Sequence, residues 1–276
     1  MDLRAALHQG TDLLAGSTTP EPRLTAEVLL CHALKRERVF LYSHPEHELS
    51  TVEWIHYGRY LYERMQGKPT QYITRTQEWY GRNFRVTPAV LIPRPETEHV
   101  VEIALEVARG ARTVLDIGTG SGALAVTLAL ELGARAVATD VSLEALRVAQ
   151  WNADALGGRV DFVCCDLASG VSGFFDLIVS NPPYIPEREI ATLQREVRDF
   201  EPHVALLGGE TGTELYGRII SQAQGLLRPG GWLIFEIGYQ GEAAVRQGLS
   251  DGPWSRVETG YDLAGLPRVL RARYAP

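Results

Sequence analysis

Apolar residues recur every three or four positions through the first 75 residues, which predicts helices. In "PRLTAEVLLCHALKR", Leu24, Val28 with Leu29, Cys31 and Leu34 fall at helical spacing. Pro20 and Pro22 precede that segment, and Ser17-Thr18-Thr19 reads as a loop. "STVEWIHYGRYLYERMQG" repeats the pattern, with Trp54, Tyr57, Leu61 and Met65 on one face. Ser50 or Thr51 caps its start and Gly67 marks its end. The intervening "SHPEHELS" reads as a solvated loop, because His44 and His47 have no third metal ligand in view.

From Gln71 to Leu91 the pattern breaks into short segments around Gly81 and Pro88. "EWYGRNFRVTP" alternates aromatic and polar residues about a glycine, which predicts a β-hairpin. The expected organisation is a helical domain over 1–75, a hairpin linker over 76–93 and an α/β domain over 94–276. "PETEHVVEIALEVARG" predicts a helix that Pro95 opens, Glu96 and Glu98 favour electrostatically and Gly110 stops. Strands "TVLDIG", "RAVATD", "VDFVCCD" and "FDLIVSNPP" then alternate with helices "ALAVTLALEL" and "LEALRVAQWNADAL". Helix "ELYGRIISQAQGLL", strand "GWLIFEIG", a helix near "GEAAVRQGL" and strands around "SRVETGYD" and "RVLRARY" complete the chain. Such alternation predicts an α/β fold, a parallel sheet covered by helices on both faces.

Composition narrows the class. A formal charge of −7 disfavours a protein that grips bare nucleic-acid phosphates. Cys31, Cys164 and Cys165 make neither a disulfide framework nor a zinc spacing and read as small buried hydrophobes. "MDLRAALHQG" lacks the apolar core of a signal peptide, and no run is long enough to span a membrane. A cytoplasmic protein with no membrane partner and no metal is expected.

The chemistry concentrates at strand ends. "VLDIGTGSGAL" places Asp116, Gly118, Thr119, Gly120, Ser121 and Gly122 where a buried strand turns into a helix, and the glycines let a ligand approach the backbone. Asp140 ends the next strand, where a carboxylate can accept from both hydroxyls of a ribose. Asp166 ends the strand after that, followed by Leu167, within reach of a base amino group. Three successive strand ends of this kind describe a nucleoside site at the carboxyl edge of the sheet.

"NPPY", Asn181 to Tyr184, follows the fourth strand of the alternating region. The Asn181 side-chain oxygen and the Pro182 carbonyl are two acceptors suited to the two N–H groups of a planar amide or exocyclic amine. Tyr184 can stack on that flat group, Pro183 stiffens the turn, and Asn181 is expected at the same carboxyl edge as the nucleoside site and in contact with its ligand.

The Gly loop with Asp140 and Asp166 resembles the class I S-adenosylmethionine-dependent methyltransferases, in which the acid corresponding to Asp116 lies near the methionine end of the cofactor. NPPY resembles the motif of amino-methyltransferases acting on adenine, cytosine or glutamine nitrogen. "GKPTQYITRTQEWYGRNFRVTPAVLIPRPETE" (67–98), "EPHVALLGGETGTELYGRII" (201–220), "FEIGYQGEAA" (235–244) and "DLAGLPRVLRAR" (262–273) resemble the HemK/PrmC family, and the similarity runs essentially the full length. That resemblance implies protein-(glutamine-N5) methylation of peptide chain release factors at their GGQ loop, with the helical domain helping to dock the protein substrate. It implies no direct contact with nucleic acid. A ribosomal-protein glutamine and, less favoured, a DNA adenine are the competing acceptors. Arg75 stands where the family usually has Gly, Trp79 where it has Phe, and Gly212 in a stretch where an Asp-Gly-Leu is usual. In "LIPRPETE", Leu91 and Ile92 are expected to wall the methyl-donor pocket, and Arg94 to fix the carboxylates of its own segment.

Overall fold

Ser50 opens a long N-terminal helix by a reciprocal cap: its hydroxyl accepts from Glu53 N, and the Glu53 carboxylate accepts from Ser50 N. This computed structural model describes residues 1–17, 19–238 and 241–276. Thr18 of the expected loop and Tyr239–Gln240 of "FEIGYQGEAA" lie outside the described residues. The chain divides into two units, Met1–Thr76 with Gln194–Phe200, and Gln77–Leu193 with Glu201–Pro276.

The first unit carries α1 (Leu3–Ala15), α2 (Pro22–Leu34), α3 (Arg38–Ser43), α4 (Thr51–Met65) and α5 (Thr70–Thr74). Leu7, Leu14, Leu29, Leu30, Tyr57 and Leu61 form its core. The inward face of α2 differs from the one the spacing predicts. Leu24 and Val28 are exposed, whereas Glu27 is fully buried. Glu27 is tolerated there because Arg23 Nε, Arg38 Nε and Tyr42 Oη donate to it at 2.8, 2.6 and 2.5 Å. Arg64, also buried, pairs with Glu196 at 2.7 Å and so ties the 194–200 segment to the helices. Arg75 caps α5 with φ +62°, the left-handed conformation that explains a glycine preference at this position.

In the second unit, β1 (Thr76–Trp79, its first residue grouped with the helices) and β2 (Arg82–Arg85) form the expected hairpin. It is no free linker: Trp79 and Phe84 pack with Val100, Val101 and Ala104 of α6 (Glu98–Val107). Trp79 also donates Nε1–H to the Arg94 carbonyl at 2.8 Å, a bond the Phe usual here lacks. Next come β3 (Thr113–Ile117), α7 (Ala123–Leu132), β4 (Arg135–Asp140), α8 (Leu143–Leu156), β5 (Val160–Cys164) and β6 (Phe175–Ser180). The helix α9 (Arg195–Phe200) groups with the first unit; α10 (Glu214–Leu226), β7 (Leu227–Glu236), α11 (Glu242–Ser250), β8 (Trp254–Tyr261) and β9 (Pro267–Tyr274) return to the second.

The seven strands run in the order β5-β4-β3-β6-β7-β9-β8, all in one sense except β9, which is antiparallel to both of its neighbours. Alternate residues of β3 serve opposite faces: Val114 packs in the cluster of α6 and α7, Leu115 and Ile117 in that of α10 and α11. The chain leaves β3 toward β4 and β5, then restarts on its other side at β6. The carboxyl ends of β3, β4, β5 and β6 therefore meet at a topological switch point. The first-unit and second-unit helices include none long and apolar enough to cross a membrane, among the described residues.

Candidate active site

At that switch point lies a cavity of about 380 Å³, within the range of small-molecule sites. Gly118, Thr119, Gly120 and Ser121 from the turn after β3 line it, with Asp140 from β4 and Asn181 and Pro183 after β6. Asp166 and Leu167 also line it, but β5 stops at Cys164, so Asp166 lies beyond the strand end where the sequence placed it. Its carboxylate is largely exposed and accepts from Arg218 Nη2 at 2.5 Å. Leu167 is held at φ +52°, an unusual conformation for a side chain of this size.

Asp116, Gly122, Pro182 and Tyr184 do not line the cavity. Gly122 packs helices instead: a Cβ there would stand 3.0 Å from the Ala149 Cβ of α8, and its φ is +83°. Asp116 is fully buried beneath the loop, where its Oδ2 accepts from Thr119 Oγ1 (2.6 Å) and Ala125 N (3.2 Å). Its Oδ1 is buried with no hydrogen-bond partner among the described residues. Burial pushes this carboxyl up to about 7. Asp140 anchors the same loop from the next strand, accepting from Gly120 N at 2.9 Å and Ser142 N at 2.8 Å. Each of its oxygens keeps lone-pair capacity for a ligand hydroxyl.

Asn181 is oriented by its neighbours. Its Nδ2 donates to Thr97 Oγ1 at 3.1 Å, and Thr97 donates to Glu236 Oε2 at 2.5 Å. Glu236 sits at the end of β7, 2% exposed, and its other oxygen accepts from Tyr184 Oη at 3.4 Å. The Tyr184 ring abuts Gly238, whose added Cβ would lie 2.9 Å from it, its hydroxyl reaches this carboxylate, and it does not line the cavity. Neither Thr97 nor Glu236 was singled out in the sequence. The available signal was an acid inside the otherwise apolar strand "GWLIFEIG", since a buried carboxylate needs partners.

The NPPY backbone is clamped by the segment that follows it in space. Ile185 N donates to Leu206 O, Gly208 N to Ile185 O, and Glu187 N to Gly209 O, at 3.0, 3.0 and 3.1 Å. A Cβ at Gly208 would stand 2.7 Å from the Pro183 carbonyl oxygen, and one at Gly212 2.4 Å from that of Tyr184. Thr211 N and Thr213 N donate to Glu214, which holds the loop and pulls that carboxyl down to about 2. Leu91 lines the cavity, but Ile92 is buried away from it and donates its N–H to Glu201. Arg94 pairs with this same buried Glu201, and not with Glu96 or Glu98 of its own segment as expected.

Family models match residues 5–74 as the PrmC N-terminal domain and residues 100–198 as the methyltransferase small domain. A protein of Koribacter versatilis named release factor glutamine methyltransferase is 46% identical over 278 residues, covering 99% of both chains. One of the same name from Chlorobaculum tepidum is 50% identical over 265 residues, 91% of this chain and 90% of that one. The chain belongs to the release factor glutamine methyltransferase family. A crystal structure of a methyltransferase from Pyrococcus furiosus shares the fold, with a TM-score of 0.56 at 21% identity over 71% of this chain and 91% of that one.

For this release factor glutamine methyltransferase family member, the two buried acids predict a pH effect. Asp116 and Glu236 are both raised to about 7 by burial, from ordinary values of 3.8 and 4.5. The folded state thus holds more protons than the unfolded chain across that window. The stability they contribute is present at its acid end and is lost as pH rises toward 7. Each carboxyl contributes on the order of 4 kcal/mol over the whole window, at about 1.4 kcal/mol per pKa unit. Urea midpoints of the ligand-free protein should fall between pH 5.5 and 8, and Asp116→Asn should flatten that slope by about half. An unchanged slope in Asp116→Asn would refute the assignment.

Proposed function

We propose that this protein transfers a methyl group from S-adenosylmethionine to the side-chain amide nitrogen N5 of the glutamine in the GGQ loop of peptide chain release factors, in the cytoplasm. The reading rests most on one observation: Asn181, the residue that follows β6, shares a cavity with the Gly118–Ser121 turn and Asp140 while its own amide nitrogen is committed to Thr97. A donor end and an acceptor end thereby meet in one space.

The residues present fit an S-adenosyl group. Asp140 suits the ribose hydroxyls, and the glycine turn leaves the backbone open to close approach. When bound, S-adenosylmethionine supplies an electrophilic methyl on a sulfonium leaving group.

The chain's own contribution is alignment. With Nδ2 donating to Thr97, Asn181 turns Oδ1 toward the cavity as an acceptor. That oxygen accepts from one N–H of the substrate amide, and the Pro182 carbonyl, next in the chain but outside the lining of the cavity, is assigned to the other; the two hydrogen bonds raise the electron density on the nitrogen and fix its direction of attack. No strong base is required at the amide before transfer, and its proton departs afterwards. Tyr184 supports this wall from behind through Gly238 and Glu236. The helical unit is assigned to holding the protein substrate.

The test offers methyl-labelled S-adenosylmethionine with release factor, ribosomal protein and adenine-rich DNA in parallel. Label is expected on release factor alone. Label on DNA, or on ribosomal protein in preference to release factor, would overturn the proposal.

A further inference from the structure

Glu236 is a carboxylate in the interior of the fold with no ion-pair partner in contact among the described residues. Methyl transfer as derived above does not use it. It lies one hydroxyl away from Asn181, through Thr97. A threonine hydroxyl has a single hydrogen and a carboxylate can only accept. When Glu236 is ionised, the Thr97 hydrogen must go to it, which leaves Thr97 Oγ1 as an acceptor toward Asn181. The amide group that can donate to it is Nδ2, so Oδ1 is directed elsewhere. When Glu236 is protonated, its O–H can donate to Thr97, and the Thr97 hydrogen is released toward Asn181. That hydrogen suits Oδ1, so the amide can turn over and present Nδ2 to the cavity. An NH2 group cannot accept from a substrate N–H.

We propose that Glu236 is a positioning residue: by taking the Thr97 hydroxyl hydrogen, its carboxylate fixes Asn181 with the acceptor oxygen toward the cavity, and protonation of Glu236 removes that constraint. The consequence for catalysis rests on the role given to Asn181 under the proposed function; the orientation itself does not.

The groups around Glu236 fit a proton equilibrium near neutrality. Thr97 reaches it from the turn Pro95–Thr97 and Tyr184 from the NPPY segment. Tyr216 of α10 donates to its backbone carbonyl at 3.0 Å. Burial raises the carboxyl most, and the charge of Glu96 raises it further. The two hydroxyl bonds and the charge of Arg268, from β9, oppose the rise, and the balance lies at about 7.

The experiment reads orientation and turnover separately, in the full chain. The first readout is the side-chain amide ¹⁵N–¹H signals of Asn181, assigned by their loss in Asn181→Ala. They should titrate between pH 5.5 and 8.5 with a midpoint near 7, and stay fixed in Glu236→Gln, whose amide oxygen still accepts from Thr97 without titrating. No titration in the wild type, or the same titration in Glu236→Gln, would overturn the proposal. The second readout is kinetic. The wild-type kcat should fall about tenfold one pH unit below that midpoint, and Glu236→Gln should lose this acid limb. Thr97→Val should lower kcat at least about tenfold with the KM for S-adenosylmethionine within about twofold, and Thr97→Ser should restore most of it. Equal loss in Thr97→Val and Thr97→Ser, or a matching loss of cofactor binding, would reduce Thr97 and Glu236 to structural parts. A release factor that accepts no methyl would sink the proposed function while leaving the amide titration to decide this inference alone.

Discussion

Asn181→Ala is expected to lower kcat for methyl transfer by about 10²–10³-fold, while the Kd for S-adenosylmethionine stays within about threefold. The asymmetry follows from what the side chain touches. The end of the cavity proposed for the cofactor is built by the turn after β3 and by Asp140, whose carboxylate accepts from Gly120 N and Ser142 N and owes nothing to Asn181. Asn181 instead follows β6, where its Nδ2 donates to Thr97 and, in the proposed function, its oxygen serves the acceptor. Removing one preorganised dipole of this kind at a reacting group costs roughly 3–4 kcal/mol of transition-state stabilisation. Ground-state cofactor binding does not draw on it. Single-turnover rates and calorimetry separate the two quantities. Equal losses in both would place Asn181 among the cofactor's holders.

The second large effect is expected at Gly212. Gly212→Ala should cut activity at least about a hundredfold and destabilise the protein by roughly 2–4 kcal/mol. Its φ of +82° disfavours any side chain. The added Cβ would also stand 2.4 Å from the Tyr184 carbonyl oxygen, backbone against which nothing flexible can yield. Relief requires moving either the Gly208–Gly212 loop or the NPPY segment, and the backbone bonds from Ile185, Glu187 and Gly208 make them move together. Displacing the acceptor wall by about 1 Å is enough for a hundredfold loss. Gly217→Ala is the control. That glycine lies in α10 with open space where its Cβ would go, so alanine should stabilise by about 0.5–1 kcal/mol and leave activity intact. Denaturation midpoints and steady-state rates for the pair check both halves. Wild-type activity in Gly212→Ala would refute the clamp.

The parts of this molecule legible in its sequence are those in which neighbouring residues carry the signal. The alternation from β3 to β6 is written in runs such as "TVLDIG" and "FDLIVS", because strands buried on both faces must be apolar throughout. Strand ends then declare themselves by chemistry, as Asp140 and Asn181 do. What stayed hidden joins residues far apart. Thr97 meets Glu236 across 139 positions and Ile92 meets Glu201 across 109, and no local period records such pairs. The same blindness misassigned α2. Leu24 and Val28 fit the helical spacing but face solvent, while Glu27 turns inward because three donors from α2 and α3 await it. Gly212 was noted only as a departure from a family pattern; the Tyr184 carbonyl beside it gives the physical reason for a glycine there.

The central claim is that the methyl reaches a release-factor glutamine side chain in the cavity that Asn181 lines. Tandem mass spectrometry of release factor incubated with the protein and S-adenosylmethionine measures this directly. The fragment series should place one methyl on the side-chain amide of the GGQ glutamine, and it should vanish when that glutamine is replaced by glutamate or when Asn181→Ala is used. A methyl on another residue, or one that persists in the glutamate variant, would contradict it.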